Sequence, residues 1–369
     1  MTDRNDQMDE FLAASGWGDA NKTPLPGDAS TRRYVRLERN GRKAMLMDQP
    51  QNAEAKDAPP EATPEERARF GYNALARLAA GDVSRFVAVA NFLRKQGLTA
   101  PEIIAADPRA GFAIIEDLGD DLYADVLKRG GDERGLYASA ADVLARLHED
   151  RAPAVLAPGK PLYPYDETAQ LAEVSLMTEW FIPFALGRNA TADEVGEHCA
   201  LWQKTLRDTV RSKPVLVHRD YHAENLMWLP DRNDVARVGL IDFQDAVAGS
   251  QAQDLMHLLE DARRDVSPET TQATIRHYFD IMKAKGLGLD EEPFRAEMAA
   301  ISGQRNARIV GIFARLNKRD GKPRYLQFLP RVWGHLNRDL ENPSMADLKA
   351  WYAKTIPMEK RAATYGAAA

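Results

Sequence analysis

Hydrophobic residues follow two periods along this chain, and the two are unevenly distributed. Near the N-terminus the period is that of strands. Tyr34-Val35-Arg36-Leu37 and Ala44-Met45-Leu46-Met47 flank an Asn40-Gly41 pair, a strong signal for a hairpin. The Pro- and Ala-rich stretch 50–64 reads as a flexible excursion, 65–80 as an extra helix, and 83–96 as the helix that follows the hairpin. Phe112-Ala113-Ile114-Ile115 is a further strand, closing on Glu116-Asp117-Leu118-Gly119, which reads as a hinge. Beyond it the helical period takes over. Residues 136–149 set Val143, Leu144 and Leu147 on one face, and 194–210 form another helix. Three short apolar runs, at 214–217, 225–229 and 238–241, interrupt this part as strands. The expectation is an α+β chain of two lobes: a small β-rich lobe over 1–116 with an insertion near 50–80, and a larger, mainly helical lobe over 117–355. Residues 356–369 are expected to form a flexible tail, its Ala-rich end 361–369 frayed. There is no internal repeat.

Composition bounds the function classes. The chain has 369 residues, 44% of them hydrophobic, enough for two or three domain-sized units with real cores. A net charge of −6 disfavours nonspecific nucleic-acid binding, which needs a basic surface. The single cysteine, Cys199, excludes an intrachain disulfide and suits a reducing compartment. Residues 1–10 are polar and acidic without an apolar signal region, and no run approaches the length of a membrane span. A cytoplasmic enzyme is expected, with neither nucleic acid nor membrane as partner.

The chemistry concentrates in one segment, His218-Arg219-Asp220-Tyr221-His222-Ala223-Glu224-Asn225, followed by Ile241-Asp242-Phe243. This is the spacing of a phosphoryl-transfer site. In H-R-D-x-x-x-x-N loops the Asp accepts the substrate hydroxyl proton and the Asn holds magnesium, while the Asp of a later D-F-G binds metal at the nucleotide phosphates. Here the third letter is Gln244 rather than Gly. Asp220 is therefore the candidate base, with Asn225 and Asp242 as candidate ligands of Mg2+. His218 reads as a brace for the loop backbone; His222 and Glu224 are candidate substrate contacts. A zinc pair formed by His218 and His222 is rejected, because that spacing binds zinc only on a helix and the H-E-x-x-H glutamate is absent.

Before the first strand of the hairpin lies Pro26-Gly27-Asp28-Ala29-Ser30-Thr31-Arg32-Arg33, a turn of small and hydroxyl residues. Alone it reads as a turn. Beside a catalytic loop of this kind, Gly27, Ser30, Thr31, Arg32 and Arg33 become candidates to cover ATP phosphates with backbone N–H groups and guanidinium forks.

These residues together resemble the aminoglycoside phosphotransferase and choline kinase superfamily, over roughly residues 22–340. The resemblance implies a bilobal protein-kinase-like fold and the use of ATP and Mg2+. Segments 27–36, 217–228, 239–246, 258–266, 313–321 and 329–333 are most similar to the bacterial anomeric amino-sugar kinases of peptidoglycan recycling. That narrower likeness implies phosphorylation of N-acetylmuramate and N-acetylglucosamine at the anomeric hydroxyl, giving sugar 1-phosphates for UDP-sugar synthesis. By motif, it implies that the backbone from Glu116 to Leu118 meets adenine and that Asp254 supports the catalytic loop through backbone hydrogen bonds. An N-terminal helix charge is the simpler role for Asp254. One departure concerns the phosphate-binding Lys of the family: Met47 stands in its place, and the following helix offers no Glu to pair with it. Arg32, Arg33 or Lys43 is expected to take over part of that charge.

Substrate recognition is thinner. Glu260-Asp261-Ala262-Arg263-Arg264-Asp265 and the basic stretch 315–324 could frame a sugar, although charge runs are more commonly solvated faces. Arg263 or Arg264 would suit the lactyl carboxylate of N-acetylmuramate. Three other readings stay open. A kinase for choline, homoserine or an aminoglycoside shares the motif. A nucleotide-binding pseudokinase scaffold is suggested by Met47 and opposed by the intact Asp220, Asn225 and Asp242. A protein kinase lacks support, since no A-P-E-like segment follows Asp242.

Overall fold

The computed structural model describes residues 3–26, 32–50, 58–79, 81–361 and 363. Residues 27–31, 51–57 and 80, and most of the expected frayed end, thus lie outside the described residues. The chain packs as two compact units. The first comprises Met1–Leu147, Pro153–Tyr163 and Ala223–Ala246; the second comprises His148–Ala152, Pro164–His222 and Val247–Ala369.

The first unit is built on an antiparallel sheet of β1 (Asn21–Pro24), β2 (Arg33–Arg39), β3 (Arg42–Asp48), β4 (Ile103–Asp107) and β5 (Phe112–Glu116), in the order β1-β2-β3-β5-β4. The β2–β3 hairpin closes at Arg39 and Arg42, with Asn40 at φ 51° and Gly41 at φ 73°. That left-handed pair is what a two-residue hairpin loop requires. β1 and β4 have no comparable local signal: β1 is exposed throughout and owes its form to pairing with β2. The helix Arg4–Ala14 is mostly polar, but its Leu12 joins Trp17, Leu37, Leu46, Phe112 and Ile114 in one core cluster.

The helix expected over 65–80 is two short ones, Pro64–Phe70 and Tyr72–Leu75, broken at Gly71 where φ is 93°. Thr63 and Glu66 form a reciprocal capping box at the first. Arg77 ties this insertion back on itself, donating to the carbonyls of Pro59 at 3.1 Å and Pro60 at 2.9 Å. A minor ribbon of β6 (Val155–Ala157) and β7 (Lys160–Pro161) also belongs to this unit. Residues 116–119, read as a hinge, lie inside it, as does the helix Glu133–Leu147.

The second unit is helical around Glu291–Lys318, which packs on Glu167–Leu176, Ala192–Thr209, Ala252–Leu259 and Leu329–Asp339. Gly311 permits the first of these contacts, since a Cβ there would lie 2.4 Å from the Leu176 carbonyl carbon. β8 (Val215–Val217) pairs with β11 (Val247–Gly249) in this unit, while β9 (Leu226–Trp228) pairs with β10 (Val238–Leu240) in the first. Residues 356–361, assigned to the tail, are ordered: Ile356 is buried, Met358–Arg361 is a helical turn, and Arg361 Nε donates to Ile356 O at 2.8 Å. No helix of the described residues is long and apolar enough to cross a membrane.

Candidate active site

In the first unit, the β9–β10 hairpin sets Leu226 opposite Leu240, and the Ile241 N–H donates to Asn225 O at 3.2 Å. The register thereby brings Asn225 beside the residue that precedes Asp242. Asp242 itself has φ 62°, a left-handed conformation that a non-glycine residue adopts only when its surroundings impose it. Its Oδ1 accepts from Arg32 Nη1 at 2.9 Å and from Gln244 Nε2 at 3.1 Å. Gln244, the departure from the usual glycine, so closes a ring with Arg32, whose Nη1 also donates to Gln244 Oε1 at 3.0 Å. Burial works to lower the Arg32 pKa, yet Tyr34 and Asp242 carry it above its ordinary value.

The loop after Asp242 is anchored from several sides. Phe243 is buried and stacks on Phe86 at 4.8 Å. Asp245 Oδ1 accepts the Ala79 N–H at 2.6 Å, and Arg85 Nη2 reaches Ala246 O at 2.8 Å. Arg33 and Lys43 are exposed on β2 and β3. Gly27, Ser30 and Thr31 lie outside the described residues.

At the expected hinge, the Glu116 N–H donates to Glu102 O at 2.8 Å, and its carboxylate receives Arg232 Nη2 at 2.6 Å. Asp117 pairs with Arg36 at 2.7 Å. Leu118 is half-buried against Gly239, where an added Cβ would meet Leu118 Cδ1 at 3.1 Å and Met227 Cβ at 2.9 Å. Glu224 and Asn225, both half-buried, also belong to this unit.

The second unit carries the other part of the motif; the chain passes between the units at His222 and Ala223. Asp254, fully buried, accepts the His218 N–H on Oδ2 at 2.6 Å and the Arg219 N–H on Oδ1 at 2.9 Å. Burial pushes its carboxyl up to about 7 against the pull of those two N–H groups, with the nearby charge of Asp220 pushing the same way. Arg219 is held at φ 81°, and its guanidinium pairs with Glu173; both side chains are 0% exposed. Tyr165 OH donates to the same carboxylate, Gln304 Nε2 donates to Tyr165 OH at 2.8 Å, and the guanidinium lies 5.1 Å from the Tyr165 ring centroid. Burial alone would raise the Glu173 pKa, but Arg308 and Arg219 outweigh it and hold the group below its ordinary value. His218 is buried, and its Nδ1 accepts the Asp220 N–H at 3.3 Å. Asp220 is left half-buried on a braced turn, where the His222 N–H donates to its carbonyl at 3.1 Å.

His222 is buried and lies within electrostatic reach of His257, a group that burial and the charges of Arg305 and Arg308 push well below its ordinary pKa. The charge run is no uniform solvated face. Glu260 and Asp261 are buried, and Glu260 Oε2 accepts from Ser302 Oγ at 2.5 Å and Asn306 Nδ2 at 2.7 Å. Arg263 and Arg264 are half-buried, with the Arg263 N–H donating to Asp261 Oδ1 at 2.8 Å. Asp265 is exposed and paired with Arg331, and Lys318, Arg319 and Arg324 of the basic stretch are exposed. Glu173, Tyr165 and Arg305 were not singled out from sequence. The one available signal was indirect: an arginine inside a buried loop needs an acidic partner.

Among the described residues, no group of three or more His, Cys, Asp and Glu side chains could hold a metal ion. One carboxylate and one amide oxygen, Asp242 and Asn225, nevertheless fit magnesium, which keeps waters and takes phosphate oxygens rather than filling an all-protein cage.

A family profile described as the phosphotransferase enzyme family matches residues 22–295. The chain is 47% identical to the N-acetylmuramate/N-acetylglucosamine kinase of Caulobacter vibrioides, over 95% of this chain and 96% of that one. It is 30% identical to the protein of the same name from Pseudomonas putida, over 93% and 92% of the two chains. Among solved structures, the ADP-bound aminoglycoside phosphotransferase APH(2'')-Ib superposes with a TM-score of 0.54 at 15% identity, covering 93% of this chain and 98% of its own. A choline/ethanolamine kinase family protein from Mesorhizobium loti gives 0.53 at 16%, covering 95% and 99%. These two likenesses concern the protein-kinase-like fold.

Proposed function

Because this chain belongs to the phosphotransferase enzyme family, we propose that it transfers a phosphoryl group from ATP to the anomeric hydroxyl of N-acetylmuramate and of N-acetylglucosamine. The sugar 1-phosphates would feed UDP-sugar synthesis in cell-wall recycling. The observation that carries this reading is the 47% identity, over nearly the whole length of both chains, to a kinase named for these two sugars. It is supported by intact Asp220, Asn225 and Asp242 at motif spacing.

In this reading Asp220 accepts the proton of the attacking hydroxyl. Its orientation comes from the turn that His218, Arg219 and Asp254 brace, so little reorganisation accompanies the transfer. The anomeric hydroxyl is the most acidic of a sugar, since its carbon also bears the ring oxygen. A single carboxylate base is matched to it. Asp242 and Asn225 would hold Mg2+, which when bound neutralises charge on the phosphates. The segment from Glu116 to Leu118 receives adenine, and Gly27, Ser30, Thr31, Arg32 and Arg33 cover the phosphates. His222, Glu224, Arg263 and Arg264 face the sugar, with one guanidinium on the lactyl carboxylate. The protein acts as a cytoplasmic monomer.

Phosphorus NMR of the product is the test. Coupling of phosphorus to the anomeric proton is expected with both sugars, and 1-O-methyl glycosides are expected to be inert. Replacing Arg263 or Arg264 by Ala should raise KM for N-acetylmuramate more than for N-acetylglucosamine, by about tenfold for one lost charged contact. A 6-phosphate product would overturn the anomeric reading.

A further inference from the structure

The strand lysine that kinases place against nucleotide phosphates is replaced here by Met47, which is buried on β3. Its usual acidic partner is missing as well. The Val83–Lys95 helix holds no Glu and faces the pocket beside Met47 with Val83 and Phe86; its N-cap Asp82 also lines the pocket but pairs with Lys160 at 3.0 Å. Charge nevertheless reaches that pocket, because Arg32 lines it together with Met47, Gln49 and Gln244. The guanidinium is aimed by four acceptors: Gln49 Oε1 at 3.1 Å, Tyr34 OH at 3.2 Å, Gln244 Oε1 at 3.0 Å and Asp242 Oδ1 at 2.9 Å. Arg33 and Lys43 are exposed on their strands, and Lys160 is engaged with Asp82 at 3.0 Å.

We propose that Arg32 takes the place of the strand lysine as the buried phosphate-binding cation of this protein, and that without nucleotide it occupies Asp242 Oδ1 in competition with the metal ion. This rests on the reading of Asp242 as a metal ligand. An oxygen that already accepts from Arg32 and Gln244 has little lone-pair capacity left, and a divalent ion beside the guanidinium meets like charge. A phosphate relieves both difficulties, because it offers the guanidinium a stronger, bidentate acceptor. The Asp242 side chain is 43% exposed and that of Arg32 11%, so the carboxylate is the more accessible partner of the pair. Metal and nucleotide therefore bind with positive coupling, and Arg32 carries that coupling.

The experiment measures Mn2+ binding without nucleotide by electron paramagnetic resonance, and binding of a non-hydrolysable ATP analogue with Mg2+ by calorimetry. Wild type, Arg32→Met, Arg32→Lys and Arg32→Met/Met47→Lys are compared, with thermal melts to confirm folding. The expected effects of Arg32→Met have opposite signs: Mn2+ alone binds several-fold tighter, and the analogue binds about 10- to 100-fold more weakly, the worth of a charge-assisted contact. Arg32→Lys should fall between, and Met47→Lys should restore part of the nucleotide affinity in the Met variant. Unchanged analogue affinity in Arg32→Met, or a parallel loss of both affinities in Arg32→Lys, would overturn the proposal while leaving the kinase reading intact. Failure of the wild type to bind the analogue at all would overturn both.

Discussion

Two arginine–carboxylate pairs lie in the two units of this protein, and they differ in their access to water. Arg219 and Glu173 are wholly buried, cross-linked to Tyr165 and Gln304, and close to a second guanidinium, Arg308. Arg32 and Asp242 are joined at 2.9 Å, but the carboxylate is nearly half exposed. A pair removed from water cannot be opened without stranding a charge, so it holds one geometry. A pair at the surface of a pocket can change partners at small cost. In the proposed function, the first suits a loop that presents Asp220 in one orientation, and the second suits a site that metal and phosphate enter and leave.

The comparison is sharpened most by removing the group that the buried network serves. Asp220→Asn should lower kcat by about 10²–10⁴ while leaving nucleotide affinity nearly unchanged, as steady-state kinetics and calorimetry would report. Turnover near that of the wild type would remove Asp220 from the chemistry.

Breaking the two pairs themselves comes next. Glu173→Gln leaves Arg219 without its charge partner in a dry site and should cost about 3–5 kcal/mol in denaturant unfolding. Asp242→Asn should cost less than about 1 kcal/mol, because its site is partly solvated. Equal costs would erase the distinction between the pairs.

The smallest effect is in the pH dependence of stability. Arg308 and Arg219 hold Glu173 below its ordinary value near 4.5. A depressed carboxyl stabilises the fold above its unfolded pKa and loses that contribution as pH falls through the folded one. The wild type should therefore lose its stability advantage over Glu173→Gln on acidification below about 4.5, and parallel profiles from pH 7 to 3 would contradict the assigned shift.

Some of this was legible because its cause is local. Asn40-Gly41 demands a left-handed pair whatever surrounds it, and the hairpin closes there. The apolar runs on either side of the catalytic segment formed strands, at β8, β9 and β10. The break at Gly71 was missed because a glycine within an otherwise helical stretch is tolerated or not according to what it packs against. For Glu260 and Asp261 the sequence left a sugar frame and a solvated face open, because periodicity does not reveal that Ser302 and Asn306 supply donors from a distant helix.

The candidate base Asp220 and the candidate oxygen ligands Asn225 and Asp242 were readable from spacing, because such a motif depends on side-chain identity and a few intervening residues. Tertiary structure alone decided how each is held and which charges are dry. Residues 223–246 join the first unit because Ala223 O, Trp228 N–H and Leu240 N–H bond to Ala124, Asp121 and Thr99, none of them near in sequence. Glu173 becomes the anchor of Arg219 across a separation of 46 residues. Hydrophobic periodicity reports which face of an element is buried, but not which charged partner meets it there, since burial of a charge is set by the donors that distant segments bring.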